Sequence, residues 1–210
     1  MSRFDLKKDE RFDLHKDSGL SKIKVHLGWK KGADLDACAF LLGEDGVILD
    51  DADFVFYKSE NREKPFSKDE FGNKGNWRAK TRPMSADGSV LGSIDDRGDG
   101  ADDGDEDNEE MLVNLEKVGP KITEITFCVT VFNEDGENKS FKDVRDPYIT
   151  LINESNGEEL CRYDLQESFS GETAVVIASL ICNDEGEWTF EAQGKGYDGG
   201  METLIDIYAS

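Results

Sequence analysis

Apolar and polar residues alternate with a period of two along most of this chain, the spacing of half-buried strands. Ile23, Val25, Leu27 and Trp29 alternate with Lys22, Lys24, His26 and Gly28. That predicts a strand with one wet face, and His26 falls on the wet side, away from any ligating or catalytic role. Ala37 to Leu42 reads as an apolar strand, Glu44-Asp45-Gly46 as a hairpin turn, then Val47 to Leu49 and a strand from Phe54 to Tyr57. Met111 to Leu115 predicts a short strand. Ile122, Ile125, Phe127, Val129 and Val131 mark a long one ending at Phe132. Tyr148–Ile152 and Glu159–Leu165 form a hairpin about Asn156-Gly157; Thr173–Ile181 and Glu187–Ala192 form another about Asp184-Glu185-Gly186. Short strands with Asx-Gly turns at close spacing predict an all-β fold, an antiparallel two-sheet β-sandwich. One or two short helices complete it, a single turn at Lys117–Pro120 and a helix from Met201 to Tyr208.

The N-terminus carries a small repeat. Arg3-Phe4-Asp5-Leu6 is echoed by Arg11-Phe12-Asp13-Leu14, which predicts two short strands joined by a turn. Two stretches break the β pattern. Residues 58–88 show little periodicity, and from Lys58 to Arg82 they hold eight Lys/Arg against four acids. This basic segment reads as a surface insertion folding against its own acidic domain. Residues 95–110 hold ten carboxylates and one arginine, with Gly98, Gly100, Ala101 and Gly104 between them. With nothing apolar to bury, that stretch predicts a loop.

The acidic stretch supplies −9 of the formal charge of −22, so the remaining 194 residues still carry −13. General acidity excludes a nucleic-acid partner, since phosphate contacts need clustered Lys and Arg. The 210 residues suit one domain. Cys38, Cys128, Cys161 and Cys182 lie in or beside apolar runs with no Cys-x-x-Cys pair, so they read as reduced core residues. The N-terminus has no apolar signal region, and the longest apolar run, Ala174 to Cys182, is too short to span a bilayer. The expectation is a soluble, cytoplasmic protein.

An acidic loop repels itself unless a cation neutralises it, and calcium takes six to eight oxygen ligands in flexible geometry. The loop is not an EF-hand: counting from Asp103 puts Asn108 where that motif needs Gly and Asn114 where it needs Glu. A solvated acidic loop with no site is the alternative. No nucleophile elbow is present, and both histidines lie within the first 26 residues. Gly194-Lys195-Gly196-Tyr197-Asp198-Gly199 matches a dinucleotide fingerprint by letter, but too little chain follows for the required strand–helix–strand unit. It reads as a glycine-rich turn. The chain is therefore expected to be no enzyme.

Several motifs together carry a family resemblance: Leu27-Gly28-Trp29, Gly32-Ala33-Asp34-Leu35-Asp36-Ala37 and Asp51-Ala52-Asp53-Phe54-Val55-Phe56-Tyr57. After the acidic loop come Arg162-Tyr163-Asp164-Leu165, Glu187-Trp188 and Gly194 to Gly200. On these residues the chain resembles the tellurium-resistance TerD-like proteins, most of all their TerZ/TerX-type branch, over nearly its whole length. The resemblance implies a single calcium-binding β-sandwich domain over residues 1–210, in bacterial operons linked to tellurite, phage and colicin resistance. It implies Ca²⁺ as the bound ion, and other tellurium-resistance proteins at the inner face of the membrane as partners. The family's acidic motif, roughly Gly-Asp-Asn-x-Thr-Gly-x-Gly-x-Gly-Asp-Asp-Glu, begins here at Ile94-Asp95-Asp96-Arg97-Gly98, without the Thr. Its end aligns with either Glu106-Asp107-Asn108-Glu109 or Gly104-Asp105-Glu106. The implied loop ligands are Asp95, Asp96, Asp99, Asp105, Asp107, Asn108 and Glu109. Asp34 and Asp36 flank Leu35 and project to one side of an extended backbone, where a second loop would complete the site. Asp53 and Asn133, at comparable strand ends, are weaker candidates. The competing classes are a metal-dependent phosphoester hydrolase and a nucleotide-binding stress protein.

Overall fold

A computed structural model describes residues 3–14, 19–30, 32–63, 81–94, 106–133, 137–165 and 169–210. The strands are β1 (Phe4–Leu6), β2 (Arg11–Asp13), β3 (Lys22–Lys30), β4 (Asp34–Leu42), β5 (Phe54–Val55), β6 (Val90–Leu91), β7 (Glu106–Asn114), β8 (Glu124–Phe132), β9 (Arg145–Asn153), β10 (Glu159–Asp164), β11 (Ala174–Cys182) and β12 (Trp188–Tyr197), followed by helix α1 (Gly200–Tyr208). They build two six-stranded sheets. The first runs β1-β10-β9-β3-β7-β6 and the second β2-β12-β11-β8-β4-β5. All pairings are antiparallel except that of β1 with β10, which is parallel. The sandwich expected from the alternation is the fold observed.

The main core lies between the sheets. Ile23, Val25 and Leu27 of β3 face Leu35, Ala37, Ala39 and Leu41 of β4, with Met111, Ile125, Phe127, Ile149 and Leu151 filling the layer. A second apolar cluster lies on the outer face of the second sheet. Cys38, Phe40, Leu42, Cys128, Ala174 and Val176 are covered there by Leu204 of α1. Cover on both faces explains why β4, β8 and β11 read as nearly continuous apolar runs rather than as alternation.

The N-terminal repeat does form two short strands, but they join different sheets. β1 extends the first sheet beside β10, and β2 extends the second beside β12. The Phe4 and Phe12 rings meet across the gap at 5.4 Å, so the repeat stitches one side of the sandwich.

Two local expectations are corrected, and a third segment gains detail. β7 begins at Glu106, inside the acidic stretch, because its backbone groups pair with β3 from Lys30 onward. Glu110 is also matched there by Lys24, whose Nζ lies 3.1 Å from Glu110 Oε1. Gly194 to Tyr197 is not a turn but the end of β12, which absorbs one extra residue opposite Val176–Ala178 and holds Gly194 at φ +61°. Lastly, the basic segment is anchored at both ends. Arg62 is buried and donates to Thr81 Oγ1 at 2.8 Å, to the Tyr57 carbonyl at 2.9 Å and to the Ser59 carbonyl at 3.1 Å. Residues 64–80 of that segment lie outside the described residues.

Candidate metal centre

β3 ends at Lys30 in the first sheet and β4 starts at Asp34 in the second, so the chain changes layers between these two strands. Two contacts shape this crossover. The Trp29 indole N–H donates to the Ala33 carbonyl at 3.2 Å. Gly32 sits so close to Asp143 that a Cβ there would lie 2.0 Å from the Asp143 carbonyl oxygen. Leu35 is buried, so Asp34 and Asp36 share the outward face of β4, as the spacing predicts. Asp34 is exposed and Asp36 half-buried.

β7 starts at the same end of the sandwich. Glu106 pairs with Lys30, Asp107 with Trp29 and Asn108 with Gly28. The period of two puts Glu109 on the face of β7 that carries the core residues Met111 and Val113, and Asn108 on the opposite face. Asn108 is exposed and Glu109 half-buried. Asn133 follows β8 directly, next to the Asp34–Phe132 pair. Its side chain is engaged at both ends: Nδ2 donates to the Lys139 carbonyl at 3.0 Å and Oδ1 accepts the Lys139 N–H at 2.8 Å. Asp34, Asp36, Asp107, Asn108, Glu109 and Asn133 therefore share one end of the sandwich but not one face. Asp95, Asp96, Asp99 and Asp105 lie outside the described residues. Among the described residues no three His, Cys, Asp or Glu side chains are gathered for a metal.

Asp53 stands apart from this group. It closes a 3-10 turn, Asp51–Asp53, just before β5, and Phe54 pairs with Phe40. That register sets it opposite Leu41, seven residues along β4 from Asp34, or roughly 23 Å in an extended strand. It is 4% exposed, accepts the Ala86 N–H at 3.3 Å, and borders a cavity of about 260 Å³ with Leu49, Asp87, Pro120 and Ile122. Burial raises its pKa, with the nearby Asp87 and Asp50 charges adding to the shift. Asp87, which the sequence reading passed over, is the opposite case. Burial pushes against its charged form, but donors from Ser89, Ser85 and Gly119 outweigh that and hold its pKa down. The pattern Asp87-Gly88-Ser89, an Asx turn, is the signal that marks it.

His26 does lie on the wet face of β3. Its Nε2 is 3.3 Å from the Tyr148 hydroxyl and its Nδ1 is 3.6 Å from Glu110 Oε1. No helix among the described residues is long and apolar enough to cross a membrane.

Comparison with known proteins adds identity to this geometry. The chain is 35% identical to General stress protein 16U of Bacillus subtilis, over 97% of this chain and 95% of that protein. It is 33% identical to Tellurium resistance protein TerD of Serratia marcescens, over 90% of this chain and 88% of that one. Tellurium resistance protein TerZ of Serratia marcescens matches at 29% identity over 97% of this chain and 94% of its own length. The crystal structure of a TerD homologue from Streptomyces coelicolor A3(2) shares the fold with a TM-score of 0.60 at 22% identity, covering 90% of this chain and 96% of that one. The model of the TerD domain matches residues 2–73 and 81–208, so nearly the whole two-sheet sandwich belongs to the TerD family.

Proposed function

We propose that this chain is a calcium-binding, non-catalytic module of a bacterial stress response linked to tellurite resistance, working in the cytoplasm. The observation that carries the reading is the shared end of the sandwich. The crossover into Asp34 and Asp36 and the strand leaving the acidic stretch at Glu106 start side by side. The candidate donors there are all carboxylate or amide oxygens, with no imidazole or thiol among them. That donor set fits a hard cation with many oxygen ligands. Asp34, Asp36, Asp107, Asn108 and Glu109 would hold the ion together with Asp95, Asp96, Asp99 and Asp105 of the acidic stretch. Bound calcium would cancel part of the −9 charge of that stretch and tie it to both sheets. The names of the relatives, a general stress protein and tellurium resistance proteins, support the cellular setting.

Thermal melting of chelator-treated protein tests this. A cation that binds only the folded form stabilises it by about 2.7 kcal/mol at a hundredfold excess over Kd, or roughly 5–10 °C for this size. Calcium should give that rise, magnesium far less, since Mg²⁺ demands strict octahedral geometry. Asp36→Asn and Asp107→Asn should reduce the calcium effect, while Asp9→Asn and Asp53→Asn should leave it intact. Equal rises with Ca²⁺, Mg²⁺ and NaCl of matched ionic strength would mean simple screening and would overturn the proposal.

A further inference from the structure

The end of the sandwich away from the candidate metal centre holds a cavity that the calcium reading leaves unused. Three turns converge on it. The 3-10 turn before β5 supplies Asp53, the turn at Ser85–Ser89 supplies Asp87, and the loop ahead of β8 supplies Pro120, Lys121 and Ile122. The Asn114 N–H donates to the Ser89 carbonyl at 2.8 Å, which fixes the middle turn at the end of β7 far from Glu106. The Asn61 amide holds the same turn through the Ser85 carbonyl at 2.9 Å. Short bonds then join the walls. The Gly119 N–H donates to Asp87 Oδ2 at 2.8 Å, and the Ala86 N–H donates to Asp53 Oδ1 at 3.3 Å.

The two carboxylates of this cavity are unequal. Asp87 has donors on both oxygens, since the Ser85 hydroxyl and the Ser89 N–H reach Oδ1 at 2.7 and 2.8 Å. Asp53 is 4% exposed, and its one close donor is the Ala86 N–H on Oδ1. Its Oδ2 has no hydrogen-bond donor among the described residues, yet it is not sealed in the way that Ser140 Oγ is. That oxygen therefore opens into the cavity. Among the described residues neither Asp53 nor Asp87 makes an ion pair, although the exposed Lys121 stands at the rim. Burial and the charges of Asp87 and Asp50 all act against the ionised Asp53, and a cation entering the cavity would offset all three.

The walls decide which cation. A calcium ion needs six to eight oxygens, and no three acids are gathered here. A guanidinium binds best as a fork on both oxygens of a carboxylate, but Oδ1 is already engaged by Ala86. An ammonium is a compact charge that one open oxygen can receive. The rest of the lining is apolar, with Leu49, Pro120 and Ile122 placed to cover methylene groups. The volume of about 260 Å³ lies just under the usual range for small-molecule sites, about 300–1,000 Å³, so it suits a short unbranched chain.

We propose that this cavity binds a short primary alkylammonium, its head on Asp53 Oδ2 and its chain along Leu49, Pro120 and Ile122. Asp87, held ionised by its donors, adds negative potential without giving up its own bonds. A free aliphatic amine and the lysine side chain of a partner protein both carry this chemistry.

The test is methyl NMR titration of the full chain, with chelator present, using n-pentylammonium chloride as the probe. The Leu49 and Ile122 methyl signals should shift and saturate, at concentrations about tenfold or more below those needed with n-pentanol or ammonium chloride. Asp53→Asn keeps an acceptor for Ala86 and should weaken binding about tenfold or more. Leu49→Ser should weaken it about threefold, while Asp36→Asn, at the candidate calcium site, should leave it unchanged. The lysine analogue N-acetyl-lysine methylamide separates the two sources. Affinity within about tenfold of the n-pentylammonium value supports the proposal with a partner's lysine as occupant, and weaker binding supports it with a free amine. No saturable shift, equal binding of n-pentanol, or unchanged binding in Asp53→Asn would overturn the proposal.

Discussion

Gly32 packs directly on the backbone of Asp143: a Cβ at position 32 would stand 2.0 Å from the Asp143 carbonyl oxygen. The obstacle is main chain, held by the adjoining 3-10 turn, Phe141–Asp143, where the Ser140 N–H donates to Asp143 Oδ2 at 3.0 Å. No rotamer change can relieve it. Gly32→Ala should therefore destabilise the fold by about 1–3 kcal/mol, as overpacking does, a fall in Tm of roughly 2–10 °C. Because the crossover carries Asp34, the same variant should also lose part of the calcium-induced stabilisation that the proposed function predicts. Melting with chelator and with calcium separates the two effects. An unchanged Tm would mean that the crossover yields freely.

The thiols should fall into two classes. Cys38, Cys128 and Cys161 are fully buried, and burial pushes the Cys161 thiol up to about 12. Cys182 departs from the reading of four core cysteines. It closes β11 at the sheet's end, half-exposed, with its Sγ 3.6 Å from the Asn183 carbonyl. Only the thiolate reacts quickly. Titration with an aromatic disulfide at pH 8 should show one accessible thiol in native protein and four in denaturant. Three or more fast thiols before unfolding would contradict the packing beneath α1.

How far the chain could be read without coordinates depended on where the information sits. Period-two alternation is local, so β3 and the two late hairpins were legible, and so was the shared side of Asp34 and Asp36. Strand partners are not local. Nothing in Arg3–Asp5 or Arg11–Asp13 shows that the two repeats enter different sheets, one of them parallel to β10. The hydrophobic pattern shows only the Met111 end of β7, because Glu106 to Glu110 lacks apolar residues. What makes that segment a strand is the backbone of β3 beside it. Asp53 and Asn133 looked alike as strand-end acceptors. The fold sends Asp53 to the far end and occupies the Asn133 amide with Lys139.

Arg62 shows how a basic residue inside an acidic domain becomes structural. Its guanidinium is buried and reaches the carbonyls of Tyr57, Ser59 and Thr81 and the Thr81 hydroxyl. It thereby clamps the two ends of the basic segment, alongside the Arg62–Pro83 bridge. Arg62→Ala would strand these acceptors, at about 1–3 kcal/mol for each buried group left unpaired. The expected total is about 3 kcal/mol, since some carbonyls will find water. Arg62→Lys should recover only part of this, because an ammonium cannot reproduce the planar fork. Urea unfolding of the three proteins measures it. A loss below about 1 kcal/mol for Arg62→Ala would show that the clamp is dispensable.

Asp53 and Asp87 should respond to acid with opposite signs. Asp53 has a folded pKa raised by burial, so the folded state holds its proton more tightly than the unfolded chain does. Its ionisation therefore works against folding at neutral pH, and that penalty disappears as pH falls through the folded value. Asp87 has a folded pKa lowered by its hydrogen bonds. Its contribution is complete above the unfolded value, near 3.8, and is lost as pH falls through the folded one. Asp53→Asn keeps an oxygen for the Ala86 N–H and removes the buried charge. It should raise stability by about 1 kcal/mol at pH 7, or roughly 2–4 °C, and the gain should vanish as pH falls toward 3.8. Asp87→Asn weakens four charge-assisted bonds at an exposed turn and should cost about 1–2 kcal/mol at pH 7, with the cost shrinking only further into acid, below about 3.8. Melting of both variants from pH 7 to pH 3, with chelator present, reads the two slopes. If Asp53→Asn destabilises at pH 7 as Asp87→Asn does, the ionised Asp53 carboxylate is compensated within the cavity it borders, and burial does not govern its titration.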